Sequence, residues 1–475
     1  MIVGRKKEIE LFDKLLQSEK AEFVTIFGRR RVGKTFLVKE YFTDKIVFDF
    51  SGAFEADINV QLHNFWNEYK RFTKENLTQS VPKNWTEAFN YLTDYLYRFS
   101  DKKVVVFIDE VPWLDQPKSG FLSALEYFWN QHGSKMKHLL FITCGSAASW
   151  IIQNLINAKG GLYNRITQRI ELKPFTLQET EQFCLSKNLK YTQYQIIQLY
   201  MVMGGVPFYW QAVEQGKSVN QIIDELCFES RGLLSDEFKP LYHSLFKNAE
   251  NHIAIIEALA SRPYGLNRTD LLTITKITNG GTFVRVLENL IDSGFVKALT
   301  PFGKKNKDTV FRVIDFYSIF YLKFINGNVS DRENVWQSLA GNSQYKSWTG
   351  YAFENICLTH LRPIHAKLGI AGVFTKVDSW RFAGNEEIDG TQIDLIIDRN
   401  DGVIHLCEAK FTADEFVITK DYNTKLRHKR VAFQHITKTK KSVVTTLMTT
   451  FPAIRNQYYR EEIHSEISMD DLFKQ

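Results

Sequence analysis

Short apolar runs alternate with stretches of helical periodicity along the first 175 residues. Residues 23–27 (Phe-Val-Thr-Ile-Phe), 46–50, 104–108, 139–143 and 170–172 read as strands. The runs at 104–108 and 139–143 are almost continuously apolar, as strands buried on both faces are. Between them, residues 36–42 and 54–99 read as helices, with Phe65, Trp66, Tyr69 and Phe72, then Trp85, Phe89, Leu92 and Tyr95, forming core-facing stripes. Strands alternating with helices predict an α/β domain with a parallel sheet.

The pattern then changes twice. Residues 176–230 are helical apart from a turn at Gly204-Gly205-Val206-Pro207, and Thr176-Leu177-Gln178-Glu179 reads as a capping box. Residues 250–313 read as three helices and a hairpin around the basic loop Lys304-Lys305-Asn306-Lys307. Residues 326–343, rich in Gly, Asn and Ser, read as a part-helical linker. In the remainder, 349–358 is an amphipathic helix, and 392–397, 403–411 and 443–447 are strands.

Composition narrows the class. At 475 residues, with 44% hydrophobic and 24% charged content, the chain has the make-up of a soluble globular protein of about three domains. No apolar run approaches the ~18 residues of a membrane span, and the N-terminal residues lack the apolar core of a signal peptide. Five scattered cysteines without CxxC spacing disfavour disulfide frameworks and zinc sites and suit a reducing cytoplasm.

The chemistry centres on Gly28, Arg29, Arg30, Arg31, Val32, Gly33, Lys34 and Thr35, between the first strand and the helix that Phe36 opens. This GxxxxGKT segment has the spacing of a phosphate-binding loop, whose backbone N–H groups wrap a phosphate chain. Lys34 then reaches the β/γ-phosphates and Thr35 holds Mg2+. The third strand ends in Asp109-Glu110, at the edge where open α/β sheets bind ligands. Asp109 is the candidate Mg2+ ligand, directly or through water, and Glu110 the general base. Ser146 or Thr143 is the candidate γ-phosphate sensor, and Arg165, with Arg169 behind it, the candidate arginine finger.

These pieces, in this order, resemble the AAA-type/STAND ATPases of bacteria and archaea over roughly residues 1–230. The resemblance implies that Gly4 and Arg5 pack near the adenine and that ATP is bound and hydrolysed. It also implies a helical lid after the core, with the Gly204–Pro207 turn packing on the nucleotide. The helix-helix-helix-hairpin segment resembles a winged helix, which contacts DNA in some proteins and docks proteins in others.

A second constellation lies near the C-terminus. Asp394 sits near the start of one strand, and Glu408 and Lys410 share a face of the next. Carboxylates on paired strands can gather a divalent metal, with a lysine to orient water. Together with Glu354 on the preceding helix, this resembles the PD-(D/E)XK restriction-endonuclease-like fold. The resemblance implies Glu354, Asp394 and Glu408 as acids around Mg2+ or Mn2+ and Lys410 as the catalytic lysine. The proline that often precedes the strand acid is absent, and Gln392-Ile393 stands there. Residues 420–460 carry ten basic residues against Asp421 alone, the footprint of a polyanion-binding surface.

The expectation is therefore a P-loop NTPase parallel sheet (1–175), a helical lid (176–245), a winged-helix middle domain (246–325), a linker (326–343) and a C-terminal restriction-endonuclease-like α/β domain (344–475). ATP would drive a DNA-binding, metal-dependent nuclease. Two alternatives stand beside it: a nucleotide-dependent switch whose C-terminal domain binds without cleaving, and a DNA-binding regulator with a vestigial nuclease. DNA and RNA are not distinguished. Arg165 acting in trans would require a homo-oligomer, whereas acting in cis it would not.

Overall fold

The computed structural model describes residues 1–74, 80–99, 102–158, 160–329 and 334–474. The chain divides into two compact units, Met1–Pro174 and Phe175–Gln475. The first is built on strands β1 (Glu22–Phe27), β2 (Ile46–Ser51), β3 (Val104–Asp109), β4 (Leu139–Gly145) and β5 (Gln168–Glu171). They form one sheet in the order β2-β3-β4-β1-β5, and every pairing is parallel.

Period-two alternation explains why this sheet is buried on both sides. Phe23, Phe48, Val106 and Phe141 face an aromatic layer with Phe65, Trp85, Phe128 and Trp129. Val24, Ile26, Val105, Phe107 and Ile142 face the other way, onto Phe12, Leu37 and Phe42. The helix Lys34–Tyr41 therefore anchors the loop after β1 through Leu37 and Val38. Residues 75–79, part of the helical expectation for 54–99, lie outside the described residues.

The second unit opens with helices Leu177–Ser186 and Gln193–Met203, each closed at its start by a capping box. A three-stranded sheet follows, made of β6 (Leu266–Asn267), β7 (Val296–Leu299) and β8 (Val310–Val313) in the order β6-β8-β7. It accompanies helices Glu250–Ala260, Arg268–Thr275 and Gly281–Asp292. The C-terminal sheet is mixed, with order β13-β12-β11-β10-β9. Its strands are β9 (Thr375–Phe382), β10 (Thr391–Arg399), β11 (Val403–Lys410), β12 (Ser442–Thr449) and β13 (Ile463–Ile467). β9, β10 and β11 pair antiparallel, whereas β11, β12 and β13 pair parallel.

The segment 326–343, expected as a part-helical linker, holds a short helix whose tryptophan is packed into the second unit. Trp336, on the helix Val335–Leu339, is buried among Phe228, Phe320, Phe324 and Trp348, and its backbone N–H donates to Asp224 Oδ1 at 2.6 Å. A tryptophan placed in a polar run has to be buried somewhere, and here its burial ties the segment into the unit. Residues 330–333 of this segment lie outside the described residues. No described helix is long and apolar enough to cross a membrane.

Candidate active sites

The loop after β1 carries backbone that ordinary side chains avoid. Gly28 has φ +143°, and a Cβ there would lie 2.3 Å from the Leu172 carbonyl oxygen. Arg31 (φ 68°) and Gly33 (φ 90°) are also left-handed. The loop thus curls tightly onto the end of β5 before Lys34 starts its helix.

Lys34 is buried at 5% exposure, yet its ammonium contacts neutral partners. Nζ donates to Gly28 O (3.0 Å), Arg29 O (2.8 Å) and Ser146 Oγ (3.0 Å). Ser146 is in turn bound to Glu110: its N–H reaches Glu110 Oε2 at 3.0 Å and its hydroxyl reaches Oε1 at 2.5 Å. Thr35 Oγ1 donates to Asp109 Oδ2 at 2.6 Å, and Asp109 Oδ1 accepts from the Glu110 N–H at 2.9 Å. Glu110 has φ 46°, so the chain turns sharply just after β3 and presents the two acids differently. The structure thus brings Lys34, Thr35, Asp109, Glu110 and Ser146 together. Thr143 is fully buried and donates to Val24 O, which leaves Ser146 as the polar group at the end of β4.

The other expected residues stand at different distances from this network. Arg5, also left-handed (φ 56°), donates to Lys173 O (2.8 Å) and Val32 O (3.1 Å), bracing the loop from behind; Gly4 beside it has φ 65°. Arg29 is buried, Arg30 half-buried and Phe36 exposed. Arg165 is exposed, and its Nε donates to Gly161 O, so it stays outside the network. Arg169 lies on β5 and is exposed. Thr35 and Asp109 are hard oxygen donors placed side by side, a set that fits Mg2+ carried in on nucleotide phosphates.

The C-terminal constellation also comes together, although its electrostatics differ from the expectation. β10 is bulged between Ile393 and Ile396, where the β9 partners step only from Trp380 to Asp378. The bulge inserts a residue and re-aims Asp394. Glu408 and Lys410, two apart on β11, face the helix Lys420–Thr437. Glu408 Oε1 accepts from Lys410 Nζ (2.9 Å) and Tyr422 OH (3.1 Å), and Oε2 from Lys429 Nζ (2.6 Å). Glu354 Oε2 accepts from Arg312 on β8 at 3.1 Å, and the guanidinium lies 4.4 Å from the Tyr351 ring centroid.

Titration follows this wiring. Burial, then Glu408 and Glu354, push the Asp394 carboxyl up to about 8. Burial also raises Glu354, against the pull of Arg312. Burial alone would raise Glu408, but Lys410 and Lys429 outweigh it and hold the carboxylate below its usual range. Burial lowers Lys410, but Glu408 more than compensates, so it stays charged.

Of the expected metal set Glu354, Asp394 and Glu408, both glutamates are paired with cations as folded. Among the described residues, no group of three or more His, Cys, Asp or Glu side chains is arranged to hold a metal ion. Glu354 and Glu408 are occupied by cations instead, so the donor set as folded does not fit a divalent ion.

Sequence reading missed Arg312, Tyr351 and Tyr422, and placed Lys429 only within a basic run. The signals were present: Arg312 is a lone charge in the apolar strand Val310-Phe311-Arg312-Val313, and Tyr422 and Lys429 are seven apart, on one helix face. The polyanion footprint is also reduced. Lys429 pairs with Glu408, Arg430 with Glu462, Arg427 with Glu461 and Lys441 with Asp398, all acids outside residues 420–460. Lys420, Lys425, Lys438, Lys440, Arg455 and Arg460 remain exposed.

Residues 2–213 match the model of an ATPase domain found predominantly in Archaea. An uncharacterized protein of Methanocaldococcus jannaschii is 25% identical over 400 residues, 82% of this chain and 83% of that one. An uncharacterized ATP-binding protein of the same organism is 23% identical over 285 residues, 51% of this chain and 78% of that one. Among solved structures, a Walker-type ATPase of Pyrococcus abyssi aligns with TM-score 0.49 and 16% identity, over 68% of this chain and 96% of that one. The ORC2 protein of Aeropyrum pernix aligns with TM-score 0.39 and 14% identity, over 71% and 95%. The N-terminal part of this chain is thus an ATP-binding, P-loop ATPase domain of the archaeal type.

Proposed function

We propose that this chain hydrolyses ATP between Lys34 and Glu110 and uses the nucleotide state to control a nucleic-acid-binding, nuclease-like C-terminal domain. The observation that carries the first half is the chain of contacts Lys34–Ser146–Glu110. A buried ammonium with only neutral partners calls for an anion, and phosphate oxygens supply it. When Lys34 turns to phosphate, Ser146 loses one partner and Glu110 gains freedom to take a proton from water. That water forms a bond to the γ-phosphorus as the bond to ADP breaks. Mg2+, held at Thr35 and Asp109, would neutralise charge on the phosphates. Arg165 would act here only after a movement or from a second copy of the chain, since it stays outside the network.

For the second half, helices Glu250–Ala260, Arg268–Thr275 and Gly281–Asp292 with the β7–β8 hairpin read as a winged helix. The mixed sheet that places Asp394, Glu408 and Lys410 near Glu354 reads as restriction-endonuclease-like. The wing is not free along its whole length. Phe302 donates its N–H to Ser379 O at 3.0 Å and packs its ring on Phe433. Lys304, Lys305 and Lys307 remain exposed beyond it. With Glu354 and Glu408 held by cations, a phosphate backbone in this arrangement is bound through the exposed lysines Lys420, Lys425, Lys438 and Lys440, without cleavage.

The test is phosphate release from ATP, with and without duplex DNA or single-stranded RNA, for the wild type and Lys34→Ala. Hydrolysis abolished in Lys34→Ala, and salt-sensitive nucleic-acid binding weakened by Lys420→Ala and Lys425→Ala, is the expected result. Hydrolysis surviving in Lys34→Ala, or binding indifferent to both lysines, would refute the corresponding half.

A further inference from the structure

The carboxylates Glu354 and Glu408 are neutralised by partners drawn from three different places in the chain. Lys410 is on the same strand as Glu408, whereas Lys429 arrives from the following helix. Arg312 comes from the three-stranded sheet of the middle segment, more than forty residues before its partner Glu354. Both members of that pair are largely enclosed, with side-chain exposures of 5% and 15%.

Such a pair needs an explanation other than stability. Desolvating two charges cancels most of their attraction, and an apolar pair of similar volume often does as well. The surrounding contacts indicate what it does. Tyr351 OH and Asn355 Nδ2, on the same helix as Glu354, both donate to Val313 O at 3.3 Å, one residue from Arg312. Phe302, at the other end of the hairpin, is anchored to Ser379 and Phe433. The β7–β8 hairpin is thus fastened to the nuclease-like domain at both ends, with Arg312 lodged at the acid cluster. Tyr264, beside β6 and half exposed, interacts electrostatically with Glu354, Asp394, Arg312 and Lys429, so the middle segment forms one wall of the cluster.

We propose that Arg312 and Lys429 are built-in cations that take the places of a divalent ion, Arg312 at Glu354 and Lys429 at Glu408, and keep the cluster closed to metal; release of the β7–β8 hairpin frees the Glu354 half. The proposal rests on the nuclease-like reading of residues 344–475. It accounts for the enclosed cations paired with Glu354 and Glu408. Metal has to displace two charge-assisted hydrogen bonds, at 2.6 and 3.1 Å, from enclosed partners.

The test is Mn2+ binding by the full chain without nucleotide, followed by electron paramagnetic resonance and titration calorimetry. The variants are Arg312→Met and Lys429→Met, each also combined with Asp394→Asn. Retained ATP hydrolysis reports folding of the first unit, and circular dichroism that of the second. The wild type is expected to show no Mn2+ binding that depends on Asp394. Each single variant should gain such binding, tightened roughly tenfold or more, and lose it again with Asp394→Asn. If Arg312→Met fails to fold, the more exposed Lys429→Met decides by the same criterion. Asp394-dependent binding by the wild type would overturn the closure and leave the nuclease-like reading intact. Folded variants that gain no Mn2+ site would overturn both.

Discussion

Glu110→Gln separates chemistry from binding at the ATPase site, because the structure says what the substitution keeps. Both carboxylate oxygens of Glu110 are held by Ser146, one through its N–H and one through its hydroxyl. Gln has the same shape and keeps a carbonyl oxygen to accept one of these bonds. Reorienting the other costs about 1 kcal/mol, which corresponds to no more than a several-fold change in ATP affinity. The proton-accepting function disappears entirely. Loss of a positioned general base typically costs about 10²- to 10⁴-fold, or roughly 3–5 kcal/mol at 1.36 kcal/mol per decade. Steady-state phosphate release gives kcat, and calorimetric titration with ATP gives Kd. The expected result is a fall in kcat of at least about a hundredfold with Kd nearly unchanged. A kcat within tenfold of wild type would remove Glu110 from the base role. A loss of affinity equal to the loss of kcat would mean that Glu110 supports the loop rather than the reaction.

Two further substitutions test the frame around these sites. Gly28→Ala places a Cβ 2.3 Å from the Leu172 carbonyl at φ +143°, so the loop or the end of β5 has to move. The strain costs about 1–3 kcal/mol, and both the melting temperature and ATP affinity should fall; an unchanged pair would refute the tight packing of the loop. His360 is buried and neutral, accepts the Leu177 N–H at Nε2 (3.0 Å), and has its pKa pushed down to about 4 by burial. The unfolded chain protonates this group near 6.5, so its contribution is full above that value and lost as pH falls toward 4, about 3 kcal/mol in all. His360→Gln should flatten the pH dependence of urea unfolding across that window, and an unaltered slope would show that the acid sensitivity arises elsewhere.

How far the sequence was legible depended on whether a residue's partner lay nearby. β3 and β4 were readable because each is an almost unbroken apolar run, and β1 and β2 because a single polar residue interrupts theirs at 23–27 and 46–50. The phosphate loop was readable because its glycines, lysine and threonine act as one contiguous segment. β9 was missed, because Thr-Lys-Val-Asp-Ser-Trp-Arg-Phe is mostly polar and its apolar residues pack on Phe433 from a distant helix. β13 was missed because it is only five residues long and edges the sheet. Asp394 was found by its place beside the Glu-x-Lys strand, but the bulge that re-aims it left no mark in local periodicity. The basic window overstated its free charge because Glu408, Asp398, Glu461 and Glu462 lie outside it, and only the fold brings them to its lysines and arginines.

The two sites are in opposite electrostatic conditions. At the ATPase site the ammonium of Lys34 is bonded to carbonyls and a hydroxyl, so an incoming phosphate meets an unclaimed cation. At the C-terminal site Glu354 and Glu408 each have their own cation, so neither a metal nor a phosphate meets a free partner. A phosphate backbone and a divalent ion would then compete for opposite halves of the same pairs. Phosphate draws Lys410 and Lys429 away from Glu408, which lowers the cost of placing a metal there, and a metal at Glu408 releases both lysines for phosphate. The two ligands are therefore coupled with the same sign, and by reciprocity each must tighten the other by an equal factor. Closure by Arg312 and Lys429 thus predicts that Mn2+ affinity of the wild type rises when a nucleic-acid backbone is present, and that this gain shrinks in Lys429→Met, where one of the competing cations is already gone. Equal Mn2+ affinity with and without nucleic acid would refute the competition.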